Sequence, residues 1–597
     1  MAETLAARSR LLGNFRGLSF SALLVSLGYF LFGSSSVGGW LALALGVVFL
    51  LLVARHGRVI DAEDHARRLS LVNERAEARI DGRFASLPDL GLGLVGPEHP
   101  YAGDLDLFGN GSLFQRLSVA HTHFGKGTLA HWLAHFASLT EIAERQAAVR
   151  ELASALGFRQ EFEAQAMALS ERRREGKTEI QSSPDPESFL RWIEAPAELA
   201  GKPLLLALAW LLPVLTFGGI AAHWFANQSP LYWVAPLLVG LAVLARYQKT
   251  CTDTFNAVST TEGAFLRYGD LLALIEGLEP NSPWLVARRA TLTASNRPEV
   301  SASRTMRRFR NLVSWYDLRH NGMVYPFVDG LLLWDIHCSA ALERWKRDVG
   351  PRARAWFAVI GELEALSSLA GFLHDEPDAV FPTLTDDSSL EAKALGHPLI
   401  ARSKRITNDL DAFAPGQALL VTGSNMSGKS TFLRALGINT VLAFSGAPVV
   451  AASLTLPRCV LGTSIRISDS LLSGTSHFFA EVKKLAHVVQ LSKGETPVLF
   501  LMDEVLHGTN SRERQLGARW VLAELLRDSA FGILTTHDEG LCELPPELMP
   551  RVRQHHFREN VADGEMTFDY CLRQGPVTSG NALRLMRQVG LDVPLEG

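Results

Sequence analysis

Four uninterrupted apolar segments stand out along the chain, in two pairs. Residues 18–33 and 37–54 form the first pair and residues 203–222 and 226–245 the second, and none contains Asp, Glu, Lys, Arg or His. At about 1.5 Å per residue, roughly 18 to 20 helical residues cross roughly 30 Å of hydrocarbon, so the pattern predicts two transmembrane helical hairpins. The links, residues 33–39 and 223–230, carry no Lys, Arg, Asp or Glu. By contrast, Arg8, Arg10 and Arg16 precede the first pair, Arg55 and Arg58 follow it, Lys202 precedes the second, and Arg246 and Lys249 follow that. Basic residues stay on the cytoplasmic side, which predicts a multi-pass protein of the cell (inner) membrane with cytoplasmic soluble domains. A cleavable signal peptide competes for the first segment, but the second would still leave the rest of the chain cytoplasmic. Spans without ionisable groups read as anchors rather than a conduction path.

Between and after the hairpins the pattern turns helical. Residues 61–83 are charged with helical spacing, and residues 87–100 are rich in Gly and Pro, as in a linker. From Ser112 amphipathic helices follow, with Ile142, Ala143, Gln146, Val149, Leu152 and Leu156 on one stripe, and the pattern resumes at 261–279 and 300–373. This predicts a mostly α-helical core or lever domain interrupted by the second hairpin. Residues 377–398 are turn-rich, with a strand-like FPTL at 381–384. The expected domains are a first hairpin at 1–60, a helical linker at 61–100, core and lever halves at 101–202 and 247–395 around a second hairpin at 203–246, and an α/β domain at 396–597.

Composition agrees with lipid contact and narrows the partners. Of 597 residues 47% are hydrophobic, and the mean hydropathy is +0.10. A formal charge of −4 gives no global attraction to nucleic acid. Five widely spaced cysteines without a C-x-x-C pair read as ordinary reduced thiols. His131 and His135 lie four apart, but Trp132 stands where a zinc protease carries glutamate, so an ordinary helix role is expected.

The chemistry concentrates at VTGSNMSGKST, residues 421–431. It fits G-x-x-x-x-G-K-[ST] between an apolar strand and a helix at 432–443. Gly423 and Gly428 let the loop wrap a phosphate, and the backbone N–H groups of Ser424, Asn425, Met426, Ser427, Ser430 and Thr431 supply the cradle. Lys429 is expected to reach the β and γ phosphates of ATP, and the Ser430 hydroxyl to bind Mg²⁺. Downstream, the buried-strand pattern PVLFLM at 497–502 ends in Asp503, assigned to the metal, and Glu504, assigned as general base or water-positioning group. A second strand, FGILTT at 531–536, delivers His537 to the same sheet edge.

Six ordered motifs make residues 396–540 resemble the ATPase domain of the MutS family. They are GHPLI at 396–400, ITNDL at 406–410, TGSNMSGKSTFLR at 422–434, SDSLLSGTSHFFAE at 468–481, LMDEVLHGTNSRER at 501–514 and TTHD at 535–538. The Asn425 and Met426 pair is the family's mark within the loop. Residues 108–133 and 144–152 resemble, less closely, the start of the family's core and lever. The resemblance implies a P-loop ATPase of the MutS/ABC type, a homodimer with a composite site, and Ser473 and Ser476 facing the partner's γ-phosphate. It also implies edge strands in HHFREN and MTFDYCL and a closing helix at 580–589.

The chain departs from the family where DNA is handled. No mismatch-reading domain opens it, and the second hairpin stands where a DNA clamp interrupts the lever. The expectation is therefore a membrane-anchored MutS-like ATPase coupling nucleotide state to mismatched or branched DNA or to a membrane-proximal protein partner. Two alternatives are an ABC-like mechanical or transport ATPase, opposed by SGTSHFF in place of LSGGQ, and a nucleotide-gated membrane scaffold that does not touch DNA.

Overall fold

The computed structural model describes residues 2–33, 36–174, 177–180, 187–259, 264–293, 301–320, 322–386, 389–424, 426–466, 477–562 and 565–576. The first hairpin is two helices, Ala2–Gly33 and Ser36–Ile80. The charged segment expected as a separate linker helix continues the second without a break, because no Gly-Pro signal interrupts residues 55–80. The second hairpin is Pro203–Ala226 and Leu231–Ser259. Ala226, expected to open the second span, instead ends the first, since Asn227 takes a left-handed conformation at the C-cap (φ 52°) and Pro230 follows.

A fifth long helix, Trp334–Asp375, has the composition of a span, yet 78% of its most apolar window is buried inside the protein, against 6 to 28% for the other four. It is the central helix of the helical domain. Helices His123–Ala134, Leu139–Ser154 and Glu187–Glu194 pack on it, with Phe124 stacked on Phe357 at 5.6 Å. Its fully buried Glu364 accepts the backbone N–H groups of His121 and Thr122.

Short strands β1 (Glu171–Arg174) and β2 (Lys177–Ile180) pair off the helical domain. The C-terminal region holds two sheets. The smaller joins β3 (Thr383–Thr385), β4 (Leu390–Leu395), β5 (Asn408–Phe413) and β7 (Ser453–Pro457) in the order β3-β7-β4-β5, with β6 (Ala418–Thr422) lying between β5 and β7 in sequence. The turn-rich passage thus contains two strands of this sheet, and the unit begins before residue 396. The larger sheet runs β12-β11-β6-β10-β9-β8 and adds β8 (Val460–Ser464), β9 (Val498–Asp503), β10 (Phe531–Thr536), β11 (Val552–Ala562) and β12 (Glu565–Gln574). HHFREN is therefore not an edge strand: β11 is sandwiched between β6, to which it runs parallel, and the antiparallel edge strand β12. The expected closing helix at 580–589 lies outside the described residues.

The helical domain and the sheets share one core. Phe136 stacks on Phe444 at 4.4 Å, and the Ser445 hydroxyl donates to Trp132 O at 2.9 Å. The Gly-Pro segment before residue 105 is packed rather than free, because buried Asp104 accepts Thr463 Oγ1 at 2.8 Å, Ile465 N at 3.1 Å and Lys484 Nζ at 2.7 Å. At the end of the central helix, Glu376 is clamped between Arg116 (3.0 Å) and a bidentate Arg405 (2.8 and 2.9 Å), all three side chains almost fully buried. Burial pushes the Glu376 carboxyl up, but the two guanidinium groups outweigh it and hold it below the usual carboxylate range. Its stabilisation is thus present above the unfolded-state pKa of about 4.3 and is lost as pH falls through the lower folded value. Glu376→Ala leaves buried Arg405 without a carboxylate and Arg116 with Asp375 alone, at 3.8 Å, and should cost about 3 to 5 kcal/mol. A melting temperature within one or two degrees of wild type, read by scanning fluorimetry at about pH 7.5, would refute that role.

Candidate nucleotide site

Register builds the site. Strand β10 pairs in parallel with both neighbours, so Thr535 lies opposite Val421 of β6 and opposite Asp503 of β9. The loop after β6, the acids ending β9 and the histidine following β10 therefore emerge at one edge, where open α/β sheets bind ligands. The three strands are buried on both faces (LLV in β6, VLFLM in β9, ILTT in β10), as parallel strands inside an α/β sheet are.

The phosphate-loop glycines answer specific contacts. Gly423 (φ 150°) passes so close to β11 that a Cβ there would sit 3.0 Å from Phe557 O, and at Gly428 (φ 106°) a Cβ would sit 3.0 Å from the Tyr570 ring. Helix Lys429–Ser445 starts directly after Gly428, three residues earlier than the apolar pattern suggests. Its first residue is buried, and the Lys429 ammonium donates to Gly423 O (2.7 Å) and Ser424 O (2.9 Å) and lies 3.4 Å from Glu504 Oε1. Met426 forms the exposed tip of the loop at φ 71°. Asn425, Ser473 and Ser476 lie outside the described residues.

Asp503 and Glu504 diverge because Glu504 turns left-handed (φ 48°) immediately after the strand, its N–H still bonded to Thr535 O at 3.1 Å. The Thr535 hydroxyl donates to Asp503 Oδ1. Glu504 instead faces Lys429 and two imidazoles, His537 Nδ1 at 3.1 Å from Oε1 and His507 Nε2 at 3.6 Å from Oε2. Burial raises the Glu504 carboxyl, but Lys429 and His537 more than offset this, so it stays below the usual range and anionic at neutral pH. Burial lowers the Lys429 ammonium, with Glu504 opposing. His537 is held in place by its neighbour Asp538, which takes Arg514 Nη2 at 3.2 Å and Gln515 Nε2 at 3.0 Å from helix Ser511–Arg527.

Lys429, Asp503, Glu504 and His507 line a cleft of about 820 Å³, whereas His537 lies behind Glu504 and does not border it. Ser424, Met426, Ser427, Gly428, Lys429, Ser430, Thr431, Asp503 and Glu504 all border it. The Ser424 and Ser427 hydroxyls are buried there without a hydrogen-bond partner, which is the arrangement a phosphate would complete. Ser430 and Asp503 share the cleft, consistent with a Mg²⁺ held by few protein groups plus phosphate oxygens. Among the described residues no cluster of three or more His, Cys, Asp or Glu forms a metal cage, and the His131 and His135 rings simply stack at 4.4 Å.

Several walls of the cleft were not singled out by motif. His397, from GHPLI, accepts the Leu399 N–H on Nδ1 at 3.2 Å, which leaves its proton on Nε2, and burial followed by Arg434 and Arg405 pushes its pKa down to about 4. Ile406, Asn408, Phe557 and Tyr570 complete the apolar side. Asn408 ties that side together, its Nδ2 donating to Tyr570 O (3.0 Å) and its Oδ1 accepting Leu572 N (2.7 Å). Their motifs were visible, but the side chains converge only through the pairing of two sheets. His507 gave a signal too, lying three residues after Glu504.

The family model that matches is MutS domain V, over residues 419–594. The C-terminal part of the chain is a MutS-family domain. A DNA mismatch repair protein MutS from Lactococcus lactis is 28% identical over 252 residues, covering 41% of this chain and 29% of that protein. DNA mismatch repair protein MutS 1 of Haloarcula marismortui is 32% identical over 248 residues (40% and 26%), and the Chloroflexus aurantiacus MutS is 31% identical over 249 residues (40% and 25%). The matched region thus spans 25 to 29% of the length of these relatives. MutS-family domains are ATPases, and the cleft has the residue types and shape that nucleotide binding needs. Because Gly428 has both a left-handed φ and Tyr570 against it, Gly428→Ala in this MutS-family domain should weaken binding of a fluorescent ATP analogue at least about tenfold. An unchanged titration curve would show that the loop tolerates a side chain there.

Proposed function

We propose that this chain is a membrane-anchored MutS-type ATPase, whose two hairpins hold it in the bilayer while ATP binding and hydrolysis drive the helical domain. The observation that carries the nucleotide half is the cleft itself, with caged Lys429, two unpartnered buried hydroxyls and an anionic Glu504 at one strand edge. The membrane half is supported by four long apolar helices of whose span windows only 6 to 28% is buried inside the protein.

In this reading the loop N–H groups and Ser424 and Ser427 cradle the phosphates of ATP. Lys429 exchanges the carbonyls of Gly423 and Ser424 for phosphate oxygens. Mg²⁺, when bound by Ser430 and Asp503, neutralises phosphate charge. Thr535 fixes the Asp503 carboxylate, and Glu504 orients and deprotonates the attacking water, with His537 holding the carboxylate and stabilising its negative charge. Ser473 and Ser476 complete the site of a second subunit in a homodimer. The Trp334–Asp375 helix, about 63 Å long at 1.5 Å per residue, is the transmitting element, since its start touches the second hairpin and its end meets the Arg405 clamp. The partner so driven is at the membrane. A DNA-binding role, suggested by the relatives' name, is the competing outcome.

Lys429→Ala should abolish tight ATP binding, whereas Glu504→Gln should retain binding and slow phosphate release at least about tenfold. Equal turnover in the glutamine variant would remove Glu504 from the chemistry. The full chain should remain in the membrane pellet after an alkaline carbonate wash, and release into the supernatant would refute the anchors. Salt-sensitive binding to mismatched or branched duplexes over plain duplex, in a titration of purified protein, would favour the DNA reading.

A further inference from the structure

Where the second hairpin meets the helical domain, a cleft of about 480 Å³ opens that is separate from the nucleotide site. Trp210 and Pro213 of the hairpin form one wall. Helices Ala302–Ser314 and Trp334–Asp375 form the others, through Arg308 and Leu312 on one and Trp334 and Arg344 on the other. These two helices run antiparallel, since Trp345 Nε1 donates to Thr305 O (2.9 Å) and the Tyr316 hydroxyl meets Ser339 Oγ (2.5 Å). Arg308 and Arg344 therefore mark one end of the cleft and Leu312 and Trp334 the other. Ten helical residues, roughly 15 Å, separate Arg344 from Trp334.

This polarity matches the bilayer. Glu343, next to Arg344, accepts the N–H groups of Leu199 (2.6 Å) and Ala200 (2.8 Å), just before the span begins at Pro203. His337 Nε2 lies 3.1 Å from Ala209 O, within the span. The arginine end is thus level with the water boundary that Lys202 marks, and the tryptophan end is level with the hydrocarbon. Among the described residues neither guanidinium has a carboxylate within 4.0 Å, and both are exposed. Beside the cleft, Met323 and Phe327 are 83% and 71% exposed around helix Tyr325–Leu332, which packs on both helices of the hairpin.

We propose that this cleft binds one anionic phospholipid of the cytoplasmic leaflet, its phosphate between Arg308 and Arg344 and an acyl chain along Trp210, Pro213 and Trp334. The inference rests on the membrane reading of the hairpins. Two guanidinium groups lining one cleft without a carboxylate partner suit a phosphodiester, a basic pocket beside spanning helices at the cytoplasmic boundary suits a lipid headgroup, and the apolar tryptophan end suits an acyl chain. A free anion would make no use of the apolar end.

The test reconstitutes the full chain in nanodiscs of mixed phosphatidylglycerol and phosphatidylcholine, extracts it in mild detergent, and measures co-purifying phospholipid by mass spectrometry. Wild type should retain phosphatidylglycerol selectively. The Arg308→Gln, Arg344→Gln double variant should lose about tenfold of that retention, and the double lysine variant should keep part of it. Equal retention by the glutamine variant, no preference over phosphatidylcholine, or displacement of the lipid by inorganic phosphate would overturn the proposal while leaving the anchors standing. Release of the full chain by carbonate would remove both.

Discussion

The in-register parallel pairing of three buried strands governs everything functional in this chain. Thr535 faces Val421 on one side and Asp503 on the other, so the phosphate loop, the acidic pair and His537 leave the sheet at one level. A slip of one residue would exchange the two faces of these strands and move the loop, the acids and the histidine off their common level. The same constraint brings Lys429 within 3.4 Å of Glu504 although they are far apart in sequence. That ion pair accounts for the opposed effects on the two groups: each is penalised by burial and each is partly rescued by the other.

The P-loop helix is the point where this edge is joined to the rest of the molecule. Its last turn carries Phe444 and Ser445, which meet Phe136 and Trp132 of the helical domain. The central helix closes the connection from the other side, where Glu376 holds Arg405 and Arg116. Helical domain and sheet unit therefore share one apolar core rather than touching across a wet interface, and a shift at the loop after β6 has packed side chains to act on. The second hairpin docks on the start of that same central helix through a smaller cluster that includes Leu205, Ala209, Leu212, Leu333 and Ile336. The first hairpin reaches the domain differently, through the unbroken helix Ser36–Ile80 packed on Leu156–Ser170.

Much of this was legible from residue types alone. The apolar spans, the phosphate loop, the strand ending in Asp503 and Glu504, and the strand before His537 each depend on local pattern, and local pattern survives in a linear string. The errors fell where local signal and tertiary context disagree. Strand β3 was visible as the strand-like FPTL, but β4 hid in the turn-rich passage because a short, partly exposed strand has little periodicity. The Gly-Pro segment near Pro100 looked like a free linker because nothing local reveals that Asp104 caps the end of β8. Strand β11 was expected at an edge only through the resemblance to the MutS family, and β12 covers its outer side.

The sequence by itself determined the chemical parts: a glycine-rich loop with its lysine and serine, two acids at the end of a buried strand, and four charge-free apolar segments of about the length that crosses a bilayer. Tertiary structure decided how they are combined. It buried Trp334–Asp375 as the central helix, with 78% of its most apolar window inside the protein, and so packed the helical pattern read at 300–373 against both sheet unit and second hairpin. It also placed His507, His397, Asn408 and Tyr570 around one cleft and Arg308 and Arg344 around another, since contacts between residues remote in sequence arise only when the chain closes on itself.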